Sequence, residues 1–96
     1  MTPYVLSPLA QRDLEDIWAY SEDRWGSGQA ERYIRTIQQA IENAAANARR
    51  DRPCDEIRVG YFKLSVGSHI LFYRRFDGVM DIMRILHQRM DFDLHL

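Results

Sequence analysis

A chain of 96 residues with 46% hydrophobic and 28% charged side chains has the composition of one small globular domain, which excludes a disordered protein. Its formal net charge of −1 excludes a free-standing nucleic-acid binder, whose phosphate contacts demand a strongly basic surface. Cys54 is the single cysteine, so no internal disulfide can form; with no signal-like start and no uncharged run near ~20 residues, a cytoplasmic protein is expected.

Tyr4-Val5-Leu6 reads as a short strand. Ser7 followed by Pro8 is an N-cap with proline at the first helical position. Ala10, Leu14, Ile17, Trp18, Ser21 and Trp25 then recur on one helical face, predicting about five turns that end at Gly26. Ser27 is the candidate cap of a second helix, along which Ala30, Tyr33, Ile34, Ile37, Ile41, Ala44, Ala45 and Ala48 form a regular apolar stripe. The short Gly26-Ser27-Gly28 joint makes the pair an antiparallel hairpin. Residues 49–60 are a charged connector. Three antiparallel strands follow at 61–66, 69–76 and 79–86, turning at Gly67-Ser68 and at Asp77-Gly78. An Asp-Gly pair between alternating apolar runs is a strong hairpin signal, because both turn residues need positive φ.

Turn length sets the register, and register sets the faces. With two-residue turns, Ser65 opposes Ile70, Lys63 opposes Phe72 and Tyr61 opposes Arg74; across the next turn, Arg74 opposes Asp81, Phe72 opposes Met83 and Ile70 opposes Ile85. One face is then apolar, from Phe62, Leu64, Val66, Leu71, Tyr73, Met80, Ile82 and Leu86, with Arg84 among them. The helices are expected there, with Trp18, Trp25 and Tyr33 in the core between them. Arg84 would need a carboxylate from the first helix, Glu15 or Asp16. Arg74 and Asp81 are expected to form a cross-strand ion pair. The other face mixes Tyr61, Lys63, Ser65, Arg74, Asp81 and His87 with Ile70, Phe72, Met83 and Ile85. So much hydrocarbon left to water marks a landing site for a partner.

Chemistry is sparse. There is no His-x-x-x-His or comparable metal spacing and no Gly-rich phosphate loop, so neither a metal nor a cofactor is expected. Cys54 is flanked by Asp55 and Glu56, which disfavour the thiolate a nucleophile needs. Metal-free RNA cleavage requires acid–base groups among cations at the phosphate; His87, Arg89, Lys63 and Arg74 are the candidates. A single His at a strand end reads more simply as a hydrogen-bonding structural residue.

Six segments, taken in order, resemble one family over nearly the whole chain: Leu6-Ser-Pro-Leu-Ala-Gln-Arg-Asp-Leu-Glu-Asp-Ile-Trp18, Arg24-Trp-Gly26, Gln29-Ala-Glu-Arg-Tyr33, Ile57-Arg-Val-Gly-Tyr61, Gly67-Ser-His-Ile-Leu-Phe-Tyr-Arg74 and Arg84-Ile-Leu-His-Gln-Arg-Met-Asp91. That family is the ParE branch of the RelE/ParE toxin superfamily. The resemblance implies a single α+β domain over residues 1–96, ordered β-α-α-β-β-β with the helix hairpin packed on an antiparallel sheet. It further implies a non-enzymatic toxin of a bacterial type II toxin–antitoxin system, held by a ParD-like antitoxin and acting on DNA gyrase. Operator DNA would be touched only through the antitoxin, with no membrane and no small-molecule substrate involved. Antitoxin contacts are expected from Trp18, Tyr33, Ile37 and Ile41 on the helix hairpin, and from Lys63, Ile70, Phe72, Arg74, Met83 and Ile85 on the mixed face. Target contacts are expected from Arg84, His87, Arg89 and Asp91. The RelE-like nuclease branch cleaves ribosome-bound mRNA with basic residues at positions that correspond here to Tyr61, Lys63, Ile70 and Arg89. Ile70 puts a hydrocarbon where that chemistry needs a phosphate clamp. An mRNA interferase and a non-toxic heteromeric binding module remain the alternatives.

Overall fold

The computed structural model describes residues 3–96. Local signals set the first two helices. Ser7 is extended and its Oγ accepts the Ala10 N–H at 3.0 Å; with Pro8 in the first turn, this starts helix α1 (Pro8–Trp25). Gly26, at φ +87°, donates its N–H to the Glu22 carbonyl and so closes α1. The same glycine is the N-cap of α2 (Ser27–Ala45), a role expected of Ser27. Ser27 Oγ instead donates to the Glu22 carboxylate at 3.2 Å.

Among the described residues, both helices lie against a five-stranded sheet built from β1 (Tyr4–Leu6), β2 (Arg52–Pro53), β3 (Phe62–Val66), β4 (His69–Phe76) and β5 (Val79–His87). The spatial order is β1-β5-β4-β3-β2, with β1 parallel to β5 and the remaining pairs antiparallel. Strand β2 was not expected inside the charged connector, because two residues ending in proline carry no alternation; it pairs at the sheet edge, where proline is tolerated. Asp77 and Gly78, at φ 52° and 77°, form the left-handed turn that their sequence predicts. At Gly67, φ 56°, a side chain would collide with the Tyr33 ring, 2.7 Å from the position of a Cβ.

The register of the first hairpin is as expected, with Lys63 opposite Phe72 and Ser65 opposite Ile70. In the second, Arg74 opposes Asp81 and Tyr73 opposes Ile82, but Phe72 opposes Arg84 and Ile70 opposes Leu86. One extra residue, Met83, is bulged out of β5. The cause lies at the outer edge of that strand. β1 ends at Leu6 opposite Ile82, so β5 loses its strand neighbour there. Ser7 takes over, its N–H reaching the Ile82 carbonyl at 2.9 Å and its Oγ the Met83 carbonyl at 2.7 Å.

The bulge corrects the face assignment beyond Ile82. Ile85 belongs to the helix-side core with Leu71, Tyr73, Met80 and Ile82, packed by Ala10, Ile17, Ile37 and Ile41 from the helices. Leu86 moves to the opposite face beside Phe72. That second face is not bare, as expected, but roofed by the chain itself. Cys54, Phe72 and Leu86 form a second core, closed by Ile57 of the connector, by Tyr61 just before β3, and by Phe92 and Leu96 after β5. The Phe92 ring meets Phe72 edge-on at 4.9 Å, and the Arg58 guanidinium ties the roof together by donating to the Leu96 carbonyl.

Candidate functional site

Asp13 occupies an apolar stripe, three residues after Ala10 and four before Ile17. It therefore faces β5 where that strand's edge is open. Its Oδ2 accepts both the Ile85 N–H at 2.9 Å and the Arg84 Nε–H at 2.8 Å, while Oδ1 accepts the Arg84 Nη2–H at 2.9 Å. This bidentate fork raises the Arg84 pKa above its ordinary value against the opposing effect of burial. The partner expected for Arg84 was Glu15 or Asp16; both are exposed and neither pairs with it. A second staple holds the other end of the sheet. Arg75 pairs with Asp51 at 2.6 Å and donates to the Ala44 carbonyl at 2.7 Å, joining the Asn47 N–H at that acceptor near the end of α2. Burial alone would raise the Asp51 pKa, but hydrogen bonds from Arg75 and Tyr73 hold it below the usual carboxylate value.

The expected antitoxin contacts fall into two groups. Ile37, Ile41, Phe72 and Ile85 are core residues, Phe72 fully buried beneath the roof, and present no surface to a partner. Trp18, Tyr33, Lys63, Ile70 and Met83 are half-buried and Arg74 is exposed, paired with Asp81 at 3.2 Å. Trp25 does not join the helix core; it is 57% exposed and packs edge-on against Tyr20 at 6.1 Å. Of the expected target contacts, Arg84 is spent on Asp13, and Asp91 caps a short 3₁₀ turn by accepting the Asp93 N–H at 3.1 Å.

His87 and Arg89 remain, and the bulge decides their setting. It turns His87 onto the helix side, opposite His69, with the ring centroids 5.4 Å apart and nearly perpendicular. Both imidazoles line a cleft of about 470 Å³ between the α1–α2 corner and the ends of β4 and β5, together with Tyr20, Trp25, Tyr33 and Arg89. Tyr33 Oη accepts the Ser68 N–H at 3.1 Å, lies 3.4 Å from the Val66 carbonyl, and shares a 2.7 Å hydrogen bond with His69 Nδ1. His87 Nδ1 accepts the Arg89 backbone N–H at 3.1 Å. An Nδ1 that accepts leaves Nε2 to carry the His87 ring proton. Burial lowers the His69 pKa below its ordinary 6.5, and nearby His87 lowers it further. Sequence reading found His87 and Arg89 but missed His69, whose place opposite His87 depends on the bulge.

The four groups needed for RNA cleavage are not brought together. Lys63 stands on the face of Phe72, opposite to His87, and within 3.9 Å of Glu56. Arg74 opposes Asp81, six residues along β5 from His87, or about 20 Å of extended chain.

Residues 4–92 match the family model described as "ParE toxin of type II toxin-antitoxin system, parDE". The chain belongs to the ParE toxin family. It is 60% identical over 94 residues to Toxin ParE1 of Mycobacterium tuberculosis, covering 97% of this chain and 96% of that one. To Toxin ParE1 of Caulobacter vibrioides it is 46% identical over 97 residues, covering 100% and 99%. The solved structure titled "Chromosomal ParDE TA system from P. aeruginosa" superposes with a TM-score of 0.78 at 20% identity, covering 91% of this chain and 96% of that chain. At that identity the superposition speaks for the fold, two helices on a sheet in the RelE/ParE arrangement. This member of the ParE family thus shares that overall architecture.

Proposed function

We propose that this ParE-family toxin inhibits DNA gyrase, is neutralised by a ParD-like antitoxin, and meets operator DNA only through that antitoxin. The observation that carries the reading is the family match over residues 4–92, joined to the dispersal of Lys63, Arg74, His87 and Arg89 across two faces and the length of a strand. A nuclease needs those groups around one phosphate; an inhibitor that works by binding does not. The antitoxin is assigned to the accessible members of the expected set, Trp18, Tyr33, Lys63, Ile70, Arg74 and Met83, with the buried ones holding them in place. Purified toxin should block gyrase supercoiling, and a stoichiometric ParD-like antitoxin should restore it. Unimpaired supercoiling at large toxin excess would overturn the proposal, as would specific transcript cleavage lost on His87→Ala.

A further inference from the structure

We infer that the His69–His87 cleft binds a peptide segment of a partner protein carrying a carboxylate beside an aromatic residue. Resting on the reading of this toxin as one that acts by gripping proteins, the inference adds where and by what chemistry.

The polar groups of the cleft are biased towards donation. With its Nδ1 accepting the Arg89 N–H, the His87 ring presents Nε2–H, a donor, to the cleft, while His69 Nδ1 is tied to Tyr33 Oη. Arg89 adds a guanidinium that takes part in no ion pair among the described residues. Gln29, Gln88, Ser21 and Ser68 complete the lining, and no carboxylate belongs to it. An Arg fork backed by neutral N–H donors is the setting in which a carboxylate forms short, charge-assisted hydrogen bonds. Tyr20 and Trp25, more than half exposed and set edge-on to each other, supply an aromatic wall that the fold leaves uncovered. The volume, about 470 Å³, suits two or three side chains.

Charge around the cleft argues against a nucleic acid as the occupant. Asp13 and Asp16 line the adjoining hollow, which shares Tyr20, His69 and His87 with the cleft. Helix α1 carries five acids against Arg12 and Arg24. A polyphosphate backbone would run into that field, whereas one carboxylate on a peptide reaches Arg89 without crossing it.

The test is an amide-resolved NMR titration of the full chain with the capped tripeptide Phe-Asp-Trp, its Phe-Asn-Trp counterpart and an oligothymidylate. The acidic peptide is expected to shift the amides of Ser68, His87, Gln88 and Arg89 and to bind about tenfold more tightly than the amide analogue. Arg89→Gln should abolish that preference, and Trp25→Ala should weaken both peptides about equally. Both residues are exposed, so unchanged spectra elsewhere will verify the fold. Equal affinity for the two peptides, no shifts at millimolar peptide, or stronger binding of the oligonucleotide at the same amides would overturn the inference. The titration uses neither antitoxin nor gyrase, so its failure is separable from failure of the proposed function.

Discussion

Asp13 does three jobs with two oxygens: it pairs with Arg84, satisfies the Ile85 N–H, and thereby fastens α1 to the open edge of β5. Replacing it by Asn keeps the shape but leaves a mostly buried guanidinium without a counter-charge. Asp13→Asn is expected to cost about 3 kcal/mol in a urea unfolding series. Asp16→Asn, at an exposed position one turn on, should stay within about 0.5 kcal/mol of the parent. A reversed ranking would mean that the fork is not what holds the seam. The clue to Asp13 was available in the sequence, since it sits among Ala10, Leu14 and Ile17 on the buried stripe, where a carboxylate demands a partner.

At the scale of elements, both caps of α1, the two helices and both hairpin turns were legible, because each depends on neighbours in sequence: Ser7-Pro8, Gly26, Gly67-Ser68 and Asp77-Gly78; the N-cap of α2 was misplaced by one residue, from Gly26 to Ser27. The bulge at Met83 was not. It arises because β1 stops at Leu6 and Ser7 supplies the next partners, a meeting of residues 76 positions apart. One unpredicted residue then exchanged the faces of Arg84, Ile85, Leu86 and His87, separated the expected cations, and assembled the His69–His87 cleft. The roof over Phe72 was hidden for a related reason: residues 53–61 and 92–96 have no periodicity of their own and gain order by covering the sheet. Phe92→Ala, which removes the ring against Phe72, is expected to cost about 2 kcal/mol. It should also admit a hydrophobic dye to the exposed second core, as followed by fluorescence. No loss of stability and no dye binding would show that the roof contributes little.

For the molecule as a whole, two groups set how stability responds to acid. Asp51 is held below 3.8 in the fold, so its contribution is present above the unfolded value and is lost as pH falls through the folded one. His69 is held below 6.5 by burial first and by His87 second, with Asp13 pulling the other way. Protonation of His69 therefore favours the unfolded chain. Its contribution is complete above about pH 6.5 and declines as the pH drops through the folded value. Urea midpoints should fall in two stages on acidification, the first beginning near pH 6.5 and the second below pH 4. His69→Gln should erase the first stage and leave the second. A variant that retains both would show that His69 is not the group responsible.

The seam that unites Ser7 and Asp13 with β5 also constrains when this protein can exist. Tyr4 pairs with Met80 and Leu6 with Ile82, so β1 waits for β5, more than seventy residues on. A nascent chain can coil its helix hairpin and bring Leu71 and Tyr73 to it early, yet the core stays open until residues 79–87 emerge. Completion of the fold is thus deferred until β5 is available.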